Sequence, residues 1–139
     1  MQDREKYKII LDVIQAALFQ KDIELPAKIE WKEIFQEMKD QTIAGIPYEW
    51  LCSQNVLDLE TKKQWDKLIM LQAAFWIKLI QEQENLIQLM KQNHIHIVIL
   101  KGMAAAIYYP KPEVRSMGDI DFWVDPNDFQ KACKIMIEN

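Results

Sequence analysis

The feature that most constrains this chain is a change of apolar period near Asn93. Before that point apolar residues recur with helical spacing; after it, strand and helix patterns alternate. Ile10, Val13, Ile14, Ala17 and Leu18 fall on one face of a first helix. Trp31, Ile34, Phe35 and Met38 do so for a second, after a break at Leu25 and Pro26. Gly45 ends that region, and Pro47 suits the first turn of a short helix through Trp50 and Leu51. Asp58 is an N-cap residue for a long helix from Leu59 to about Gln92. Its broad apolar side includes Trp65, Leu68, Phe75, Leu79 and Met90. Such a helix needs neighbours along most of its length, and the earlier helices are the expected ones. Asn93 suits the left-handed residue that closes it.

From Ile95 the pattern is that of a buried strand, Ile95 to Leu100, rich in β-branched residues. Lys101 and Gly102 then turn the chain into a short helix, Met103 to Tyr109, stopped by Pro110 and Pro112. Asp119 to Val124 reads as a second strand. Asp125 and Pro126 open a last helix whose inner face carries Phe129, Ala132, Ile135 and Met136. The division is therefore a helical region, residues 1–93, followed by the start of a small α/β unit, residues 94–139.

Composition narrows the function classes. With 3 glycines and 5 prolines in 139 residues there is little room for loops, and 50% hydrophobic content is that of a globular chain. A net charge of -4 supplies no basic footprint for long DNA or RNA. The polar start, Met1 to Lys6, lacks the apolar centre of a signal peptide. The apolar run Ala73 to Ile77 falls far short of the ~20 residues that span a bilayer. Cys52 and Cys133 match no zinc or redox spacing and read as reduced structural thiols. No membrane contact and a cytoplasmic location are expected.

Asp119 and Asp121 carry the chemistry. Two apart in a strand, they share a face with α-carbons roughly 6.5–7 Å apart, while Ile120, Phe122 and Val124 take the other face. Two carboxylates so placed repel by about 2–3 kcal/mol at an effective dielectric of about 20, and a cation between them relieves this. Hard oxygen donors favour magnesium or manganese, which accept phosphate oxygens as further ligands. Asp-X-Asp by itself is more often a solvated edge or turn. Here Gly102 precedes it at the start of a helix, where backbone N–H groups favour phosphate. Gly102 also serves as the tight turn that the connection needs. Trp123 shares the acids' face and is expected to pack against the helical region, with base stacking as the alternative. His94 and His96 share a strand face with no acid to complete a ligand set.

The order Leu100-Lys101-Gly102, an Ala-rich helix ending Tyr108-Tyr109-Pro110, and Arg115-Ser116-Met117-Gly118-Asp119-Ile120-Asp121 resembles the uncharacterised bacterial nucleotidyltransferases. These belong to the superfamily that includes DNA polymerase beta. The resemblance covers residues 95–139 well. It implies an α+β fold, with an N-terminal helical part packed on a partial mixed-sheet nucleotidyltransferase core. It also implies transfer of a nucleoside monophosphate from a nucleoside triphosphate to an acceptor: a protein, an RNA end or a small molecule. By it, Asp119 and Asp121 would be catalytic and would hold Mg2+ or Mn2+. Gly102 would admit the phosphates, and Gly118 would relieve crowding. Lys101 and Arg115 would meet triphosphate charge, orient the carboxylates, or simply pair with them.

Two departures from the superfamily pattern qualify this. Met103 follows Gly102 where a serine or glycine is usual. The third carboxylate, which comes from a later strand, has no counterpart before Asn139. The expectation from these is an incomplete enzyme with little transfer activity, its sheet edge met by a partner, by self-association or by residues beyond Asn139. The competing expectation is a non-catalytic metal–nucleotide-binding or regulatory module.

Overall fold

The computed structural model describes residues 3–138; Met1 and Gln2, at the polar start, and Asn139, at the end, lie outside them. Four helices come first: α1 (Asp3–Phe19), α2 (Trp31–Asp40), α3 (Tyr48–Gln54) and α4 (Leu59–Gln92). Then follow β1 (Ile97–Ile99), α5 (Lys101–Ala106), a 3-10 turn (Pro112–Val114), β2 (Phe122–Val124) and α6 (Phe129–Glu138). The fold is α+β, and its sheet is a single antiparallel pair. A mixed sheet needs a parallel neighbour as well, and the described residues contain none.

The 34 residues of α4 make a rod of about 50 Å that organises both halves. Asp58 starts it as expected, its side chain accepting a hydrogen bond from the Thr61 N–H at 2.9 Å. The first third of α4 meets α1–α3. Trp65 is fully buried there among Val13, Ile34, Met38 and Leu51. Its indole N–H donates to the Ala44 carbonyl at 2.6 Å, and the Phe35 ring lies tilted against it at 4.9 Å. Lys6 of α1 ties to Glu37 of α2 at 2.6 Å. The middle of α4 is different: Met70, Leu71 and Ile77 are exposed. These lie on the side away from Trp65 and Leu79, which are buried, so only part of the broad apolar surface of α4 is covered.

The end of α4 builds the second core. The left-handed residue is His94 (φ 57°), one place later than expected. The cause is the hydrogen-bond geometry of a Schellman ending. His94 N–H donates to Lys91 O at 3.0 Å, and Ile95 N–H reaches back to Met90 O at 2.9 Å. Met90 and Ile95 are buried together with Ala132 of α6, and Leu86, Ile97, Val124 and Ile135 pack around them. Asn93 instead spans the helix end: its side-chain amide donates to Leu89 O, and its carbonyl accepts from Lys131.

The boundaries of β1, α5 and α6 differ from expectation. β1 begins at Ile97, because Ile95 is spent on closing α4. α5 starts at Lys101 and stops at Ala106, with single turns carrying the chain to Tyr109. α6 starts at Phe129, because Asp125 and Pro126 form a separate turn. In it the Asp125 side chain accepts from the Asn127 N–H at 2.8 Å.

Candidate functional site

The register of the sheet pairs Ile97 with Val124, Val98 with Trp123 and Ile99 with Phe122. Leu100 N–H continues it by donating to the Asp121 carbonyl at 2.8 Å, which sets Asp121 opposite Leu100. Period-2 alternation then places Asp121 and Trp123 on one face with Val98 and Leu100, away from the Ile97 and Val124 side chains that join the second core. Trp123 and Val98 are each about half exposed, so part of the Trp123 ring is open on the face of Asp121.

The ladder ends there. The next partner position on β1 is Lys101, which has a left-handed φ of 40° and turns the chain into α5. Asp119 therefore lies beyond the paired strand, in the extension that leads into it, rather than within a strand running from Asp119. It is exposed, while Asp121 is half-buried.

The turn brings four of the expected residues together. Lys101 Nζ lies 3.6 Å from Asp121 Oδ2. A Cβ built on Gly102 would meet the Asp119 carbonyl at 3.6 Å and Met117 Sδ at 3.7 Å, ordinary contact distances. Gly102 thus sits under the segment that delivers Asp119, but the left-handed turn is made by Lys101. Because α5 is six residues long, little helix dipole is available here, and positive charge must come from side chains. The Lys101–Asp121 pair is solvent-exposed on the lysine side (76%), so it is weak and readily exchanged for another counter-charge.

Arg115 and Gly118 behave differently from expectation. The Arg115 guanidinium lies over the Tyr109 ring, 5.9 Å from its centroid. It also lines a small cavity of about 180 Å³ with Gln72, Phe75, Trp76 and Met117. Gly118 relieves no crowding: a Cβ there would meet nothing within 4 Å, and its φ is not positive.

Among the described residues no cluster of three or more His, Cys, Asp and Glu side chains is arranged to hold a metal. His94 and His96 are exposed, and Cys52 and Cys133 are free thiols. Among the described residues no helix is long and apolar enough to cross a membrane.

Sequence reasoning missed Gly45. A Cβ on it would lie 2.2 Å from the Val114 carbonyl oxygen, so the absence of a side chain lets the Pro112–Val114 turn dock on the helical region. That docking closes a cleft of about 690 Å³ between α1, α3 and α4 on one side and residues 109–114 on the other. Nothing local signals a contact between positions so far apart in the chain.

Paired acids entering a strand, beside a lysine–glycine turn, define a candidate phosphate-handling site. The sequence model of the family described as "uncharacterised nucleotidyltransferase" matches residues 27–139, and the chain belongs to that family. The match crosses Asn93 and takes in α2, α3 and α4 as well as the acidic motif. No curated protein and no solved structure matches the chain.

Proposed function

We propose that the protein is a metal-dependent nucleotidyltransferase that moves a nucleoside monophosphate from a nucleoside triphosphate to an acceptor. The observation that supports this is a corner of the sheet where Lys101 meets the Asp121 carboxylate and Gly102 lies against the Asp119 backbone. Two hard carboxylates fit magnesium or manganese, which bind proteins through one or two carboxylates and fill their remaining positions with water and substrate phosphates. Asp119 and Asp121 would be the protein ligands. The cation would neutralise phosphate charge and make the acceptor hydroxyl easier to deprotonate.

The chain's own groups do the rest. Lys101, released from Asp121 as that carboxylate takes a new counter-charge, faces the triphosphate. Gly102 leaves room for phosphate oxygens beside the backbone. Trp123 offers an aromatic surface on the face of Asp121 for the base. The acceptor oxygen bonds to the α-phosphorus as the bond to the bridging oxygen breaks. Pyrophosphate leaves with that electron pair, and the hydroxyl proton passes to solvent.

The absence of a three-residue ligand cluster among the described residues favours a second reading, a nucleotide-binding module without catalysis. Calorimetric titration with manganese tests the shared step: Asp121→Asn should weaken binding at least about tenfold, the loss expected for a charged ligand. Equal affinity in the two proteins would remove both readings. Pyrophosphate release with magnesium and each of the four ribonucleoside triphosphates then separates the enzyme from the module.

A further inference from the structure

The cleft behind Gly45 is separate from the aspartate corner and is large enough for a ligand of its own. Its volume of about 690 Å³ falls within the roughly 300–1,000 Å³ typical of small-molecule sites. Leu18, Trp50 and Ile69 give it an apolar wall from three helices. The opposing wall carries Tyr109, Lys111 and Glu113. Both walls are held in place. The backbone of Val114 abuts Gly45, and Tyr109 is covered by Arg115.

The charges on the lining are not balanced once their partners are counted. Lys111 is neutralised by Glu49, 2.9 Å away, and Lys62 by Asp66 at 3.1 Å. Glu113 closes no ion pair among the described residues, and its charge acts only at longer range on Lys111. The cleft therefore presents aromatic and aliphatic surface beside one unneutralised carboxylate. That combination is complementary to an apolar body carrying an ammonium group, through charge pairing with Glu113 and contact with the Trp50 ring and the Tyr109 wall.

We propose that this cleft, lined by Trp50, Tyr109 and Glu113, binds a small amphipathic amine. An occupant against Tyr109 is one side chain away from Arg115, whose chain segment continues to Asp119. The inference stands on the cleft alone and does not require the transfer reaction.

The probes are 4-phenylbutylamine, 4-phenylbutanol and 4-phenylbutyrate, which share a body and differ in charge. The chain has 5 tryptophans, so indole signals in proton–nitrogen spectra report location, with Trp50 assigned by Trp50→Phe. The amine should shift the Trp50 signal saturably, leave Trp123 unmoved, and bind at least about tenfold more tightly than the acid. Glu113→Gln should bring the amine to the level of the alcohol, and Tyr109→Ala should weaken all three probes. Unchanged dispersion of the remaining indoles reports that each variant is folded. Asp121→Asn should leave amine binding as it is, so failure at the aspartates and failure at the cleft are read separately. Absence of a saturable Trp50 shift, equal affinity for the three probes, or amine binding unaffected by Glu113→Gln would each overturn the proposal.

Discussion

Gly45→Ala is a substitution of one methyl group that should damage this protein far more than its size suggests. The new Cβ would lie 2.2 Å from the Val114 carbonyl oxygen and 2.7 Å from Gln72 Oε1. Gln72 can swing away, because it is the end of a flexible side chain. The Val114 carbonyl cannot, because it belongs to backbone held in the 3-10 turn. A carbon and an oxygen settle no closer than about 3.3 Å, so the turn must retreat by about 1 Å. Overpacking of this kind costs about 1–3 kcal/mol. For a chain of this length that corresponds to a fall in Tm of about 3–10 °C.

The same change at Gly118 is the control. A Cβ there meets nothing within 4 Å, and the backbone is not left-handed, so Gly118→Ala should be neutral or slightly stabilising. Thermal and urea unfolding of the two variants, followed by far-ultraviolet circular dichroism, gives the comparison. If Gly45→Ala melts within about 1 °C of the unsubstituted protein, the contact between the helical region and the Val114 turn does not hold as described. Equal damage from Gly118→Ala would be as serious, since it would place a neighbour where the structure has none.

Trp65→Phe should cost about 2–4 kcal/mol in urea unfolding, through lost volume and a buried Ala44 carbonyl left without its donor; a loss under about 1 kcal/mol would contradict that burial. His94→Gly should raise stability by about 0.5–1 kcal/mol, because relief of a left-handed non-glycine residue exceeds the entropy glycine adds to the unfolded chain; a lower unfolding midpoint would count against the Schellman ending. Acid should destabilise the helical region. Glu37, Asp58 and Asp66 are held below the ordinary carboxylate range by hydrogen bonds from Lys6, the Thr61 N–H and Tyr48 respectively. Their stabilisation is present above the unfolded carboxylate values of about 4 and is lost as pH falls through the lower folded values, so the urea midpoint should drop below about pH 4. Asp66→Asn should shallow that drop, and a midpoint flat to pH 3 or so would refute the sign.

What the sequence made legible follows from how local each cause is. Asp58 capping and the span of α4 each depend on a few neighbouring residues, and they could be read directly. The left-handed residue after α4 could not be placed from residue preference, which favours Asn93. Its position is decided by which N–H reaches Met90 O while Ile95 enters the core, a tertiary demand that overrules the preference of a histidine for ordinary backbone. The strand carrying the acids was overestimated for a similar reason. Alternation runs from Asp119, but pairing stops where its partner strand turns into α5, and a sequence pattern does not record where a partner ends. Glycine was misread in both directions. Gly118, inside the motif, has open space, whereas Gly45, in a stretch with no motif, is the one whose missing side chain admits another segment. A glycine's importance lies in what approaches it, and for Gly45 that is a carbonyl beyond the long helix. The cleft inherits this: its walls come from α1, α3, α4 and residues 109–114, so it exists only once both regions have docked. The Lys101–Asp121 end of the acidic corner should therefore tolerate weakening of that docking better than the cleft does, since it sits at the end of the strand pairing, which packs on the second core, rather than on Gly45.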